Sequence, residues 1–152
     1  MSTFTRFDGD LHTHPAPEAS KILGSEHRWI DPGFIYYLDA DNDEYVAVES
    51  GYLSDGASVP KLFQWLIHPW GKHGQCAVLH DKLCETWKTS KRTLTRKQVD
   101  EIFFESMRVA GVNVFRRKAI ELAVTGYRLW SNPSGPSDAS AKQALTDEYN
   151  KR

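Results

Sequence analysis

The sequence predicts an α+β domain: a small antiparallel β-sheet in the N-terminal half, then a helical bundle of about four helices. Three observations predict it. Phe34-Ile-Tyr-Tyr-Leu38 and Tyr45-Val-Ala-Val48 are β-branched and aromatic runs on either side of Asp39-Ala-Asp-Asn-Asp43, which is turn chemistry. Beyond Asp55 the apolar spacing becomes helical. The chain has 152 residues, 40% hydrophobic and 26% charged, which suits one soluble domain with a real core.

The elements follow in order. Residues 1–24 are polar and interrupted by Pro15 and Pro17, and they read as an arm or irregular loop. A single domain is expected over 25–130. It opens with a strand near Arg28-Trp29-Ile30, continues through the hairpin and adds a strand at Gly51-Tyr52-Leu53. Asp39, Asp41 and Asp43 alternate like the start of a calcium loop, but its Gly and distal Glu are missing, so a solvated hairpin tip is expected. Ser58 suits an N-cap and Pro60 the first turn of a helix over 61–67 that ends at His68-Pro69.

A second helix spans about 74–87. A third begins at the capping box Thr95-Arg-Lys-Gln98, carries Val99, Ile102, Phe103 and Met107 at core spacing, and stops at Gly111. A fourth, about 113–130, is expected to bury Ala119, Leu122, Ala123 and Gly126, with Gly126 allowing close helix approach. Ser131-Asn-Pro-Ser-Gly-Pro136 is a linker, and 131–152 as a whole reads as linker plus a mobile tail or short helix. Leu145 and Tyr149, at i and i+4, would let such a helix dock.

Composition narrows the partners. A net charge of −1 gives no electrostatic footprint for nucleic acid or an anionic membrane, and neither is expected as a partner. No apolar run reaches the roughly 20 residues of a membrane span. The first residues, Met1-Ser-Thr-Phe-Thr-Arg-Phe-Asp8, lack a signal-peptide core, and Cys76 and Cys84 stand roughly 12 Å apart at helical rise, too far to bond. A reduced cytoplasm is the expected site of synthesis.

The chemistry concentrates in two segments: Asp55-Gly-Ala-Ser-Val-Pro60, and Leu79-His80-Asp81-Lys-Leu83. The first is a polar turn entering a helix, where free backbone N–H groups attract anions. The second sets an imidazole and a carboxylate inside an otherwise apolar helix, where ionisable groups are costly unless paired. Asp100 has Phe103, Phe104 and Met107 at i+3, i+4 and i+7, so it borders an apolar face, and His80 is its natural donor. Two readings stay open: a structural network locking turn and helices together, or a reactive site.

These motifs carry a resemblance. From about residue 27 to residue 130 the chain resembles a widespread family of phage and prophage proteins of unknown function. The resemblance rests on Gly51-Tyr52-Leu53, Asp55-Gly-Ala-Ser-Val-Pro60, Ala77-Val-Leu-His80-Asp81-Lys-Leu83, Asp100 and Gly126-Tyr-Arg-Leu-Trp130. Many members carry Tyr after His-Asp and again two residues later. This chain has Lys82 and Cys84, so no role of those hydroxyls carries over. The resemblance implies phage origin and a shared site, and it implies no established reaction.

Several chemistries suit the residues. In a hydrolase His80 is the general base, oriented by Asp100 or Asp81 and activating water. Asp55, Gly56 and the amides of the Ser58 turn then hold the polar substrate or developing anion. Ser58 as nucleophile is the weaker idea, because the N-cap role already accounts for it. In a metal version Asp55, His80 and Asp100, or Asp81, supply mixed N/O ligands to a divalent ion as cofactor. Adjacent helical residues diverge by about 100°, so His80 and Asp81 do not share one ion. His73, Cys76, His80 and Cys84 suit zinc in type, but four ligands along three turns span too far for one tetrahedral ion. His12-Thr-His14 resembles the metal pair of barrel hydrolases, whose barrels need roughly 250 residues; two solvent-exposed histidines are expected instead.

The expected function is a phage protein with a polar His–Asp site, of which the hydrolase reading takes cell-envelope material or a small polar metabolite as substrate. The rivals are a virion or tail-assembly structural protein, and a non-catalytic small-ligand binder that antagonises host defence. A phage structural protein or a host protein is the expected partner, with residence in the host cytoplasm or incorporation in the virion.

Overall fold

The computed structural model describes residues 5–54 and 74–151. The Asp55, Gly56 and Ser58 turn, the helix expected over 61–67 and His73 lie outside the described residues. The described elements run β1 (Arg6–Asp8), β2 (Thr13–Pro15), α1 (Pro17–Leu23), β3 (Arg28–Ile30), β4 (Phe34–Asp39), β5 (Glu44–Val48), β6 (Tyr52–Ser54), α2 (Gly74–Thr86), α3 (Arg96–Val109), α4 (Val114–Ser131) and α5 (Ser140–Asn150).

The expected α+β class holds, but the strands form two antiparallel three-stranded sheets. One has the order β1-β4-β5, built on the expected hairpin, with Tyr36 opposite Val46 and Phe34 opposite Val48. Alternation along β4 and β5 buries Phe34, Tyr36, Val46 and Val48. Gly33 is required at the hairpin's base, since a Cβ there would collide with the Val48 carbonyl oxygen and lie 2.7 Å from the Ser50 nitrogen. The other sheet, β2-β3-β6, pairs Trp29 with His14 on one side and Leu53 on the other.

The N-terminal segment differs from the expected irregular arm. Its short polar strands pair with strands further along the chain: β1 adds an edge to the longer β4, β2 adds an edge to β3, and Pro17 opens α1. Pairing supplied from outside the segment outweighs its weak local propensity. His12 and His14 are exposed as expected.

α2 is apolar nearly all round because it lies between two layers. Val78, Leu79 and Leu83 pack with the β4–β5 side, whereas Cys76 and Ala77 pack with Phe103 and Met107 of α3 and Ile120 and Val124 of α4. α3 begins with the expected capping box: Thr95 Oγ1 accepts from Gln98 N, and Gln98 Oε1 accepts from Thr95 N. Gly111, at φ 79°, sits just beyond its end.

α4 corrects the expected core face. Ile120 and Val124 are buried, whereas Leu122 and Gly126 are exposed, and nothing lies within 4 Å of a Cβ placed at Gly126. The apolar residues of this helix lie on more than one face, so their spacing alone did not select the inward one.

The C-terminal segment forms α5, the helical alternative of the sequence reading. Ser137 N donates to Cys84 O at 2.8 Å, anchoring the linker at the end of α2. Leu145 packs near Ala16, Ala19 and Leu53, and the Tyr149 ring stacks on Trp29 with centroids 4.2 Å apart. The docking surface is thus α1 and the second sheet, with polar ties to α2.

Candidate functional site

His80 and Asp81 leave α2 in divergent directions, as one residue's turn about the axis requires. His80 faces α3 and α4, where Asp100 meets it. The imidazole Nε2 lies 2.8 Å from Asp100 Oδ1, and both side chains are fully buried. Arg96 Nε donates to the same oxygen at 3.0 Å, and Arg128 Nη1 donates to Oδ2 at 3.1 Å. The His80 ring stacks on Phe103 with centroids 4.4 Å apart, and Cys84 Sγ lies 3.7 Å from Nε2. One carboxylate therefore ties α2, α3 and α4 together.

The electrostatics fit a charged pair. Burial alone would lower the His80 pKa, but the Cys84 sulfur and the Asp100 carboxylate outweigh it and hold the imidazole up at about 9. Burial pushes Asp100 upward, and the His80 and Arg96 donors overcome this to leave it below its ordinary value. Arg96 Nη2 is buried without a hydrogen-bond partner, an orphan donor at the rim of the network.

Asp81 faces the other way. Ser54 Oγ, at the end of β6, donates to Asp81 Oδ2 at 2.9 Å, and Lys142 Nζ of α5 lies 3.3 Å from the same oxygen. Lys142 also pairs with Glu85, one turn along α2, and Tyr52 Oη donates to Glu85 Oε2 at 3.0 Å. Burial and the Asp81 charge raise Glu85, against the pull of Lys142. His27 is buried nearby and is lowered by that burial, its Nδ1 held 2.8 Å from the Ser25 carbonyl.

The structure thus joins His80 to Asp100 and assigns Asp81 to a separate cluster. Whether Asp55 joins either, and the anion cradle expected of Gly56 and Ser58, lie outside the described residues. Among the described residues no three His, Cys, Asp or Glu side chains are placed to hold one metal ion. His80 and Asp100 bond directly to each other, and Cys76 is a buried free thiol raised to about 11, first by burial. Asp55 and His73, the remaining metal candidates, lie outside the described residues.

Sequence reasoning missed Arg96, Arg128, Ser54, Glu85 and Lys142. Two carried a local signal. Arg96 and Asp100 are i and i+4 on α3, as are Asp81 and Glu85 on α2. The others are brought in by tertiary contacts alone.

Fold and site together define an α+β domain with a fully buried His–Asp pair flanked by two largely buried arginines. The chain belongs to the family described as Protein of unknown function (DUF1353), whose model matches residues 32–124. That span includes His80, Asp81, Asp100 and Arg96, whereas Arg128 and Lys142 lie beyond it. No curated protein and no solved structure matches the chain.

Proposed function

We propose that this is a phage structural or assembly protein in which the His80–Asp100 network is scaffold rather than catalytic machinery. The observation that carries the reading is the contrast between a sealed polar centre and an open apolar surface. A general base needs water or substrate within hydrogen-bond reach, and His80 is fully buried, beside a carboxylate that already has three donors. On the outer face of α4, Phe115, Leu122 and Leu129 stand at i, i+7 and i+14 and are 83%, 76% and 72% exposed. Such a stripe marks a protein contact. Arg116 and Lys118 flank it, both exposed, so the partner we infer is another subunit with an apolar face and an acidic rim. Phage origin rests on the resemblance of the motifs.

The test is genetic. A phage deleted for this chain should yield incomplete particles by electron microscopy. Complementation by Leu122→Glu/Leu129→Glu protein should fail although that protein folds. Complete, infectious particles from the deletion would overturn the reading.

Hydrolysis of envelope material or of a small polar metabolite keeps one supporting observation, the Asp81–Ser54 pair with Lys142 beside it. Lys142, Tyr52 and Glu85 line a cavity of about 330 Å³. In that reading Asp81, rather than His80, would lie nearer the substrate. Release of soluble fragments from purified peptidoglycan, lost in Asp81→Asn, would favour it.

A further inference from the structure

We infer that the subunit covering the α4 stripe is a second copy of this chain, whose groove between α1 and α5 receives the stripe head to tail. This rests on the assembly role proposed for the chain. The groove has a volume of about 390 Å³, and its apolar wall includes Pro17 and Ile22 of α1, Trp29 of β3, and Leu145 and Tyr149 of α5. Ile22 is 67% exposed, so this wall is open at the surface.

Charge identifies the occupant. Among the described residues, the charged members of the groove lining are Glu18 and Glu148. Glu18 stands on α1 and Glu148 on α5, one on each bank. The α4 stripe carries the opposite sign. At about 100° per residue, Arg116 and Lys118 emerge on opposite sides of the line from Phe115 to Leu122, and both are exposed. An apolar ridge with basic flanks and an apolar groove with acidic banks are therefore present on one chain. Glu121 of the same helix lies 3.6 Å from Lys118, but an exposed pair of this kind is worth little and leaves the lysine available to a partner.

Length agrees with charge. Phe115 and Leu122 are seven residues apart, roughly 10 Å along the axis, and α1, of seven residues, has roughly the same length. The stripe does not fill its own chain's groove. α4 packs through Ile120 and Val124 on Cys76 and Phe103, the groove is built on Ala16, Ala19 and Leu53, and the stripe stays exposed. The contact is heterologous, because two different surfaces meet. Each pair keeps a free groove at one end and a free stripe at the other, so addition continues until a ring closes or a filament grows. A twofold α4–α4 pair fits less well, since it sets two basic-flanked ridges against each other.

Sedimentation velocity of the purified full chain tests this. Wild type should grow beyond a dimer as its concentration rises. Leu122→Glu spoils the stripe and Ile22→Glu the groove, and each alone should sediment as a monomer with an unchanged melting temperature. Mixed, the two should form a one-to-one dimer and stop there, because one intact groove meets one intact stripe. Glu18→Lys should weaken wild-type assembly about fivefold at low salt. A wild type that is monomeric at every concentration, assembly that survives Ile22→Glu, or a mixture that stays monomeric would each overturn the inference. A monomeric wild type together with incomplete particles from the phage deletion would mean that the partner is a different chain, and the assembly role would stand without this inference. Complete particles from the deletion would remove both. Should Ile22→Glu melt early, Glu18→Lys/Ile22→Gln takes its place in the mixture, with the same outcomes.

Discussion

His80 Nε2 and Asp100 Oδ1 lie 2.8 Å apart with no solvent exposure on either side chain, and Arg96 and Arg128 complete the carboxylate's hydrogen bonds. Removing one member of a buried, paired network strands the others without partners, and such losses cost about 3–5 kcal/mol. Asp100→Ala should therefore lower thermal stability by this amount, leaving one imidazole and two guanidinium groups without their acceptor. His80→Ala should cost less, on the order of 1–3 kcal/mol, because Asp100 keeps both arginines. Chemical denaturation of the three proteins reads both values, and an unchanged midpoint for Asp100→Ala would refute the scaffold role.

Stability should fall as pH rises from about 6.5 to about 9. The folded protein holds His80 at about 9 against an ordinary 6.5, so it binds a proton more tightly than the unfolded chain. That contribution is full below 6.5 and is lost as pH passes 9. Asp100, lowered on folding, contributes in the opposite sense, its stabilisation vanishing only as pH falls through the acid range. His27, lowered by burial, also weakens the fold as it protonates, below the His80 window. Melting curves across pH 6.5–9 should slope downward in wild type and flatten in His80→Gln.

Lys142 should hold α5 to the body of the domain. Its ammonium meets Asp81 and Glu85, and the Tyr52 ring lies 4.9 Å away. Lys142→Met leaves two carboxylates facing each other in a half-buried cluster, at a cost of about 1–3 kcal/mol. Adding Glu85→Gln should recover part of the loss, since it removes one of the stranded charges. A double-mutant cycle measures the coupling, and strict additivity would show that the cluster does not fasten the helix.

Leu122→Glu should leave the stability within about 0.5 kcal/mol of wild type, as an exposed substitution does. It should nevertheless abolish any association that depends on the α4 stripe. Analytical ultracentrifugation with the partner subunit reads the association, and a large loss of stability would show that the stripe is instead covered within the protein.

Strong local patterns were legible in the sequence: the 34–48 hairpin, the α3 capping box and the apolar girth of α2 all follow from period and turn chemistry. The His80–Asp100 pairing was legible too, because a carboxylate beside Phe103 and Met107 needs a buried donor. The strands of the N-terminal segment were not, since Arg6–Asp8 and Thr13–Pro15 gain their conformation from partners far along the chain. Nor was the inward face of α4, whose apolar residues are spread around the helix. The separation of Asp81 from His80 was foreseeable from helical geometry. Its partner Lys142 was not, standing 61 residues away beyond a Pro-rich linker.

In the proposed reading the His80–Asp100 pair is scaffold sealed from water. The most direct measurement is the exchange of the His80 Nε2 proton with solvent, followed by nitrogen-15 NMR at pH 7. A buried imidazole donating to Asp100 predicts a resolved Nε2–H resonance, coupled to a ring protonated at that pH, that persists in heavy water on the timescale of the slowest core amides. Loss of that resonance within the mixing time, at a pH where the protein is fully folded, would show that water reaches His80 and that the pair is not a sealed scaffold.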